Sequence, residues 1–341
     1  MNEMKSKPWL ILLTSCLVIF LTWGFIKITG AEDYIGQIKN GASQAAKLAM
    51  NPLNAPFSAP NNQVLLNKIT QEAQKRNIAA IDAKVDRVWK AIPGYNGLEV
   101  DIEKTWELNK QAELDQPIRF VYKEIKPKVD LQALGAYPIY RGNPHKPMVS
   151  LMINVAWGDD FIPIMLKVLN KENVHATFFF DGSWLNKHLA TAELIGKAGH
   201  ELSNHAYSHK NMSQLSREKA ITEIVKTQQL LENKLGVKNS LFAPPSGDFD
   251  DETVQIAQQL HLKTILWSID TLDWMKPSPE TIVAKVTKQL EPGAMILMHP
   301  TAASSMALES IIKEVKRRGF VVGTVSELIS SDRVNPIQTI H

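Results

Sequence analysis

His205 and His209 stand four residues apart in the stretch Gly199-His200-Glu201-Leu202-Ser203-Asn204-His205-Ala206-Tyr207-Ser208-His209. That spacing lets two imidazoles on one helical turn, or on a tight loop, reach a single divalent metal ion. Spacing alone also admits two ordinary surface histidines. Further along, Trp267-Ser268-Ile269-Asp270-Thr271-Leu272-Asp273-Trp274 offers two carboxylates beside an indole. Asp270 reads there as a helix cap. In Ile296-Leu297-Met298-His299-Pro300 a single histidine ends an apolar run, a place where a satisfied core histidine is common. The case for chemistry is that three such groups fall at comparable places in one repeating pattern.

That pattern begins at Met148. Apolar strand runs over Val149–Val155, Ala176–Phe180, Leu241, Lys263–Ile269, Ala294–Met298 and Phe320–Thr324 alternate with helical spacings. The expected helices are Phe161–Asn170, Trp184–Ala198, Arg217–Leu235, Glu252–Leu260, Glu280–Leu290 and Ala307–Arg318. Strands alternating with helices of ten or more residues make a parallel sheet with helices outside it. About seven units suit a closed or nearly closed α/β barrel, whose chemistry collects at the C-terminal ends of the strands. All three polar groups sit at such ends.

With those residues in view, the region 145–335 resembles the NodB-type polysaccharide deacetylases, carbohydrate esterase family four. The resemblance implies a distorted (β/α) barrel that hydrolyses acetyl groups on chitin-like sugars, peptidoglycan or xylan. The stretch ending His205-Ala206-Tyr207-Ser208-His209 looks like the motif whose two histidines bind a divalent metal, zinc or similar. Phe242-Ala243-Pro244-Pro245-Ser246-Gly247 looks like the motif that lines the groove, making Pro245 and Ser246 candidate substrate contacts. Asp273-Trp274 and Leu297-Met298-His299 look like the fourth and fifth motifs. By that resemblance His299 is the general acid, Asp273 orients it, and Trp274 stacks on a sugar face.

The pattern fails where the chemistry is most demanding. Aligned on Gly158, Asn154-Val155-Ala156-Trp157-Gly158 places Ala156 at the family's base position and Trp157 at its metal-ligand aspartate. Ala243 stands where an arginine pairs with the base. The losses are physically linked, since an arginine without its aspartate is a buried unpaired charge. Two histidines alone should bind metal weakly or not at all, and Trp157 is expected to fill the vacated space. Asp159 and Asp160 are the nearest substitute carboxylates. They lie two to three positions out along a strand rising about 3.3 Å per residue. Their alternative role is as N-cap and first-turn acids of the next helix.

Composition sets the surroundings. In 341 residues the net charge is only +3, with no basic block, so nucleic acid is not an implied partner. The one cysteine, Cys16, excludes an intramolecular disulfide and a cysteine zinc site. Trp9–Ile26 carries no charge, and Lys5 and Lys7 precede it, which reads as a single-pass anchor with its N-terminus inside and the bulk extracytoplasmic. Thr29-Gly30-Ala31 leaves cleavage as a signal peptide as the alternative. A lipoprotein reading of Leu13-Thr14-Ser15-Cys16 is set aside because apolar residues continue beyond it.

The expected layout is an anchor over 1–30, a juxtamembrane helix and linker over 31–62, a small α/β module over 63–135 and the deacetylase-like barrel over 145–335. An anchor followed by such a module is nearest to a sporulation-associated branch of the family. Two functions remain open: a metal-dependent deacetylase of an N-acetylated polysaccharide such as peptidoglycan, or a glycan-binding or structural protein without catalysis. A zinc protease is remote, because the histidine pair lacks the glutamate such helices carry.

Overall fold

The computed structural model describes residues 60–112 and 116–334. The expected anchor and the juxtamembrane segment up to 59 lie outside the described residues. Among the described residues, no helix is long and apolar enough to cross a membrane. Residues from Ile69 onward form one compact unit.

The first described helix, α1 (Pro60–Arg76), starts at a proline, whose fixed φ and missing N–H suit a first helical turn. Two short antiparallel ladders follow: β1 (Lys84–Asp86) with β2 (Lys90–Ile92), and β3 (Gly97–Val100) with β4 (Tyr122–Ile125). Between β3 and β4 lies α2 (Ile102–Asn109), capped by Asp101, whose carboxylate accepts from the Lys104 amide. The charges over Asp101–Glu113 predict a helix with a solvated face. Its other face buries Thr105, Trp106 and Asn109, and the Asn109 amide donates to the Thr105 and Arg119 carbonyls.

The main sheet is parallel. It comprises β5 (Met148–Val155), β6 (Thr177–Phe180), β7 (Glu201–Asn204), β8 (Leu241–Phe242), β9 (Lys263–Thr264), β10 (Ile269–Asp270), β11 (Met295–Met298) and β12 (Val321–Gly323). Its order is β10-β11-β5-β6-β7-β8-β9, with β12 also paired to β5. Ser150 pairs with Met295 of β11 and Gly323 of β12, so β12 shares the β6 edge of β5. All eight residues of β5 are buried, as a strand covered on both faces requires.

Alternation sorts these side chains into two cores. Leu151, Ile153, Phe178, Phe180, Ile296 and Met298 pack outward against the helices. Met152, Phe179, Leu241, Ala243, Met295 and Leu297 face an inner cluster.

The sheet differs from the expected closed barrel. Lys263–Ile269 reads as one strand but divides into β9 and β10, which form opposite edges of a curled, open sheet. The gap beside β9 is sealed by Ile139, whose N–H donates to the Thr264 carbonyl and whose carbonyl accepts from Leu266 N–H. The expected helix Trp184–Ala198 is likewise two: α4 (Gly182–Lys187) and α5 (Leu189–Lys197), broken at His188. The other covering helices are α3 (Ile162–Lys171), α6 (Arg217–Leu235), α7 (Asp251–Gln259), α8 (Pro279–Gln289), α9 (Ala302–Arg317) and α10 (Val325–Ile329).

Candidate functional site

The C-terminal ends of β5, β7, β10 and β11 surround a cavity of about 450 Å³ lined in part by Ala156, Trp157, His205, His209, Trp274 and His299. Ser246 also lines it, whereas Pro245, Ala243, Asp159 and Asp160 do not. Pro245 is buried behind the loop, and Ala243 is fully buried in the inner core beside Met152, Ile265 and Leu297.

His205 follows β7 directly. Its Nδ1 lies 2.7 Å from the Ala243 carbonyl oxygen, which can only accept, so Nδ1 carries the proton and Nε2 keeps its lone pair. Burial pushes its pKa down to about 3, helped by the neighbouring charges of His209 and His299 and opposed by the Ala243 bond. The His209 ring is exposed, with its centroid 5.2 Å from that of His205.

His299 and Asp273 form a second unit. Asp273 is fully buried and accepts from His299 Nδ1 at 2.8 Å, from the His299 amide at 2.6 Å and from Ser304 Oγ. These bonds fix the ring through Nδ1 and leave Nε2 as its working atom.

Trp157 departs from expectation. It does not fill an interior hole: it is 43% exposed, and its indole lies parallel to the His299 ring, 5.8 Å between centroids at 9°. With Trp274, 56% exposed, it also lines a second, mainly apolar cavity of about 450 Å³ that includes Phe161 and Met306. The two indoles thus stand between two cavities.

Gly158 sets this turn. Its φ of +90° is left-handed, and a Cβ there would meet the Pro300 carbonyl oxygen at 2.0 Å.

Asp159 and Asp160 are first-turn acids of the turn that runs into α3, as the alternative reading expected, but neither is its N-cap and neither lines the cavity. They lie in a single 3₁₀ turn whose cap is Gly158, with no side-chain cap bond. Asp159 accepts from Trp184 Nε1 at 2.6 Å, and His188 Nδ1 is 3.5 Å away. It is therefore held toward α4, away from the cavity.

Four lining residues were given no site role from sequence: Asn154, Trp267, Asp270 and Leu297. Asn154 lies two residues before Ala156, which by strand alternation is the same face, a usable signal. Asp270 is not the helix cap expected of it, because the next 3₁₀ turn is capped by Leu272 without a side-chain bond; its carboxylate accepts from Leu272 N–H at 2.8 Å within the turn, and it lines the cavity. Trp267 packs within 2.6 Å of where a Gly247 Cβ would stand, a contact no local pattern reveals.

The donor set does not fit a tight metal site. Structural and catalytic zinc sites use three or four protein ligands, and here the histidine pair has an indole where a third ligand is needed. Among the described residues no group of three His, Cys, Asp or Glu side chains could hold a metal ion.

A parallel α/β sheet carrying a histidine pair and an Asp–His unit at its strand ends defines the class of polysaccharide deacetylase folds. The comparisons agree. The polysaccharide deacetylase family model matches residues 141–265. The chain is 38% identical over 317 residues to YlxY of Bacillus subtilis, an uncharacterised protein, covering 93% of this chain and 95% of that one. It is 41% identical to BA3943 of Bacillus anthracis, described as a pseudoenzyme of carbohydrate esterase family four. That structure superposes with a TM-score of 0.73 over 79% of this chain and 96% of that one. A BA3943 mutant, 40% identical to this chain, is described as having restored enzymatic activity. The chain is also 29% identical over 199 residues to a peptidoglycan-N-acetylglucosamine deacetylase of Bacillus cereus, covering 57% and 72% of the two chains. This chain belongs to the polysaccharide deacetylase family.

Proposed function

We propose that this protein is a non-catalytic member of its family that holds a cell-wall glycan of the peptidoglycan kind outside the membrane, anchored by its N-terminal apolar segment. The observation that carries the reading is the pairing of Ala156 and Trp157 with an otherwise built groove. Hydrolysis of an acetamide needs an activated water and a base. The cavity retains the histidines but offers no carboxylate at either required position.

The backbone supports a retained groove. Among the described residues eight non-glycine residues have positive φ, and five of these, Ala206, His209, Ser246, Leu272 and Lys276, belong to loops around the cavity. Such conformations cost about 1–3 kcal/mol each and persist where a site is held in shape. The likeness to a pseudoenzyme and to peptidoglycan deacetylases points the same way.

The test is a rebuilt centre. Ala156→Asp, Trp157→Asp and Ala243→Arg together should confer deacetylation of N-acetylglucosamine oligomers that the parent protein lacks. Turnover by the parent protein would contradict the reading. A folded triple variant without activity would show that the groove has diverged beyond those three positions.

A further inference from the structure

The replacements that removed hydrolysis also changed the charge the cavity prefers. Its lining contains three indoles, Trp157, Trp267 and Trp274, and one carboxylate, Asp270, but no lysine or arginine. The hydrogen-bonding atoms are biased the same way. His205 has committed Nδ1–H to the Ala243 carbonyl, so Nε2 can only accept. Indole faces, a carboxylate and an imidazole nitrogen that can only accept, with no lysine or arginine competing, are what recognises an ammonium group.

Resting on the glycan-holding reading above, we infer that the cavity selects a glucosamine ring whose 2-nitrogen is a free ammonium rather than an acetamide. An ammonium supplies three donors to acceptors that an acetamide, with one N–H, cannot all satisfy. It also gains the attraction of indole faces. A metal-bearing deacetylase site repels the same group, because two cations a few ångströms apart interact unfavourably even at moderate dielectric. With Trp157 in place of a ligand and Ala243 in place of the arginine, that repulsion is gone. The protein would thus read a wall from which acetyl groups have already been removed, and the reaction supplying its ligand is an amide hydrolysis on the same glycan. The overall charge of +3 does not draw cations, so any such preference is local to the cavity.

The experiment is calorimetric titration of the full-length chain in detergent with β-1,4-linked glucosamine tetramer and with its fully N-acetylated counterpart, at neutral pH and physiological salt. The free-amine tetramer should bind about tenfold tighter or better. Asp270→Asn, which keeps an oxygen for the Leu272 amide, should erase most of that preference while leaving the melting curve intact. Equal or tighter binding of the acetylated tetramer would overturn the inference and leave the glycan-holding reading standing. Binding of neither would overturn both. An unchanged preference in Asp270→Asn together with Trp157→Ala would place the amine elsewhere and also overturn it.

Discussion

Asp273 accepts three hydrogen bonds with no solvent exposure, two of them from His299 and one from Ser304. Asp273→Asn presents an amide N–H to donors that need acceptors, so it should cost about 3 kcal/mol in chemical denaturation. Ser304→Ala, removing one donor and leaving the His299 pair, should cost about 1 kcal/mol. Ala243 carries the complementary argument. An arginine placed alone in its apolar surroundings should destabilise by about 3 kcal/mol. Ala156→Asp in the same chain should return part of that cost, at least about 1 kcal/mol in a double-mutant cycle. Additive effects would show that the two positions are not in contact, and would weaken the view that base and arginine were lost together. At this scale the sequence was most informative: Ala156, Trp157 and Ala243 stood out as departures from a pattern. What it could not show was Trp157's posture, because whether an indole plugs a hole or lies against His299 depends on the backbone turn at Gly158.

Among the elements, long runs were legible and short ones were not. β5 is eight consecutive buried residues, a signal that only a strand covered on both faces produces. β8, β9 and β10 have two residues each, too few for any period. The apolar run Lys263–Ile269 hid the sheet's open seam because Leu266 N–H bonds to Ile139 and Ser268 N–H to Met295 of β11 instead of continuing the ladder with β8. The α4–α5 break was hidden for a related reason: Trp184 and His188 share helical spacing, yet they stack face to face at 4.8 Å and Asp159 holds both. Asp159→Ala should therefore cost about 1 kcal/mol through the orphaned Trp184 donor, and leave glycan binding unchanged.

His200, at the opposite end of β7 from the cavity, gives a pH prediction. Burial, with the charge of His175, lowers its pKa from 6.5 to about 4. Between those values the unfolded chain binds a proton that the folded chain refuses. Stability should therefore be complete above about pH 6.5 and fall as the solution is acidified toward pH 4. Thermal melts of parent and His200→Gln from pH 7 to pH 4 check this: the variant should lose less over that range. Parallel curves would mean that other groups set the acid limb.

Across the whole molecule, the residues preceding the sheet are built into it. Beyond the Ile139 seam, the Asn143 amide donates to the Pro93 carbonyl, and the Arg141 guanidinium lies over Trp89 while binding Glu291 and the Pro292 carbonyl. The chain end returns as well, with Arg333 over the Tyr95 ring and bonded to the Asn96 carbonyl. A fragment beginning at 145 would leave the β9 edge uncovered, and exposed edges favour aggregation. It should be insoluble or molten, whereas a fragment from 69 should fold, as hydrogen exchange would show.

Zinc affinity reports most directly on what Ala156 and Trp157 have done to the site. Calorimetry on the purified full-length protein should give weak, sub-stoichiometric binding. Trp157→Asp should tighten binding on the order of 100-fold or more by completing three ligands. Tight one-to-one binding by the unaltered protein, abolished by His205→Ala, would contradict the account and return the chain to the metal-dependent deacetylases.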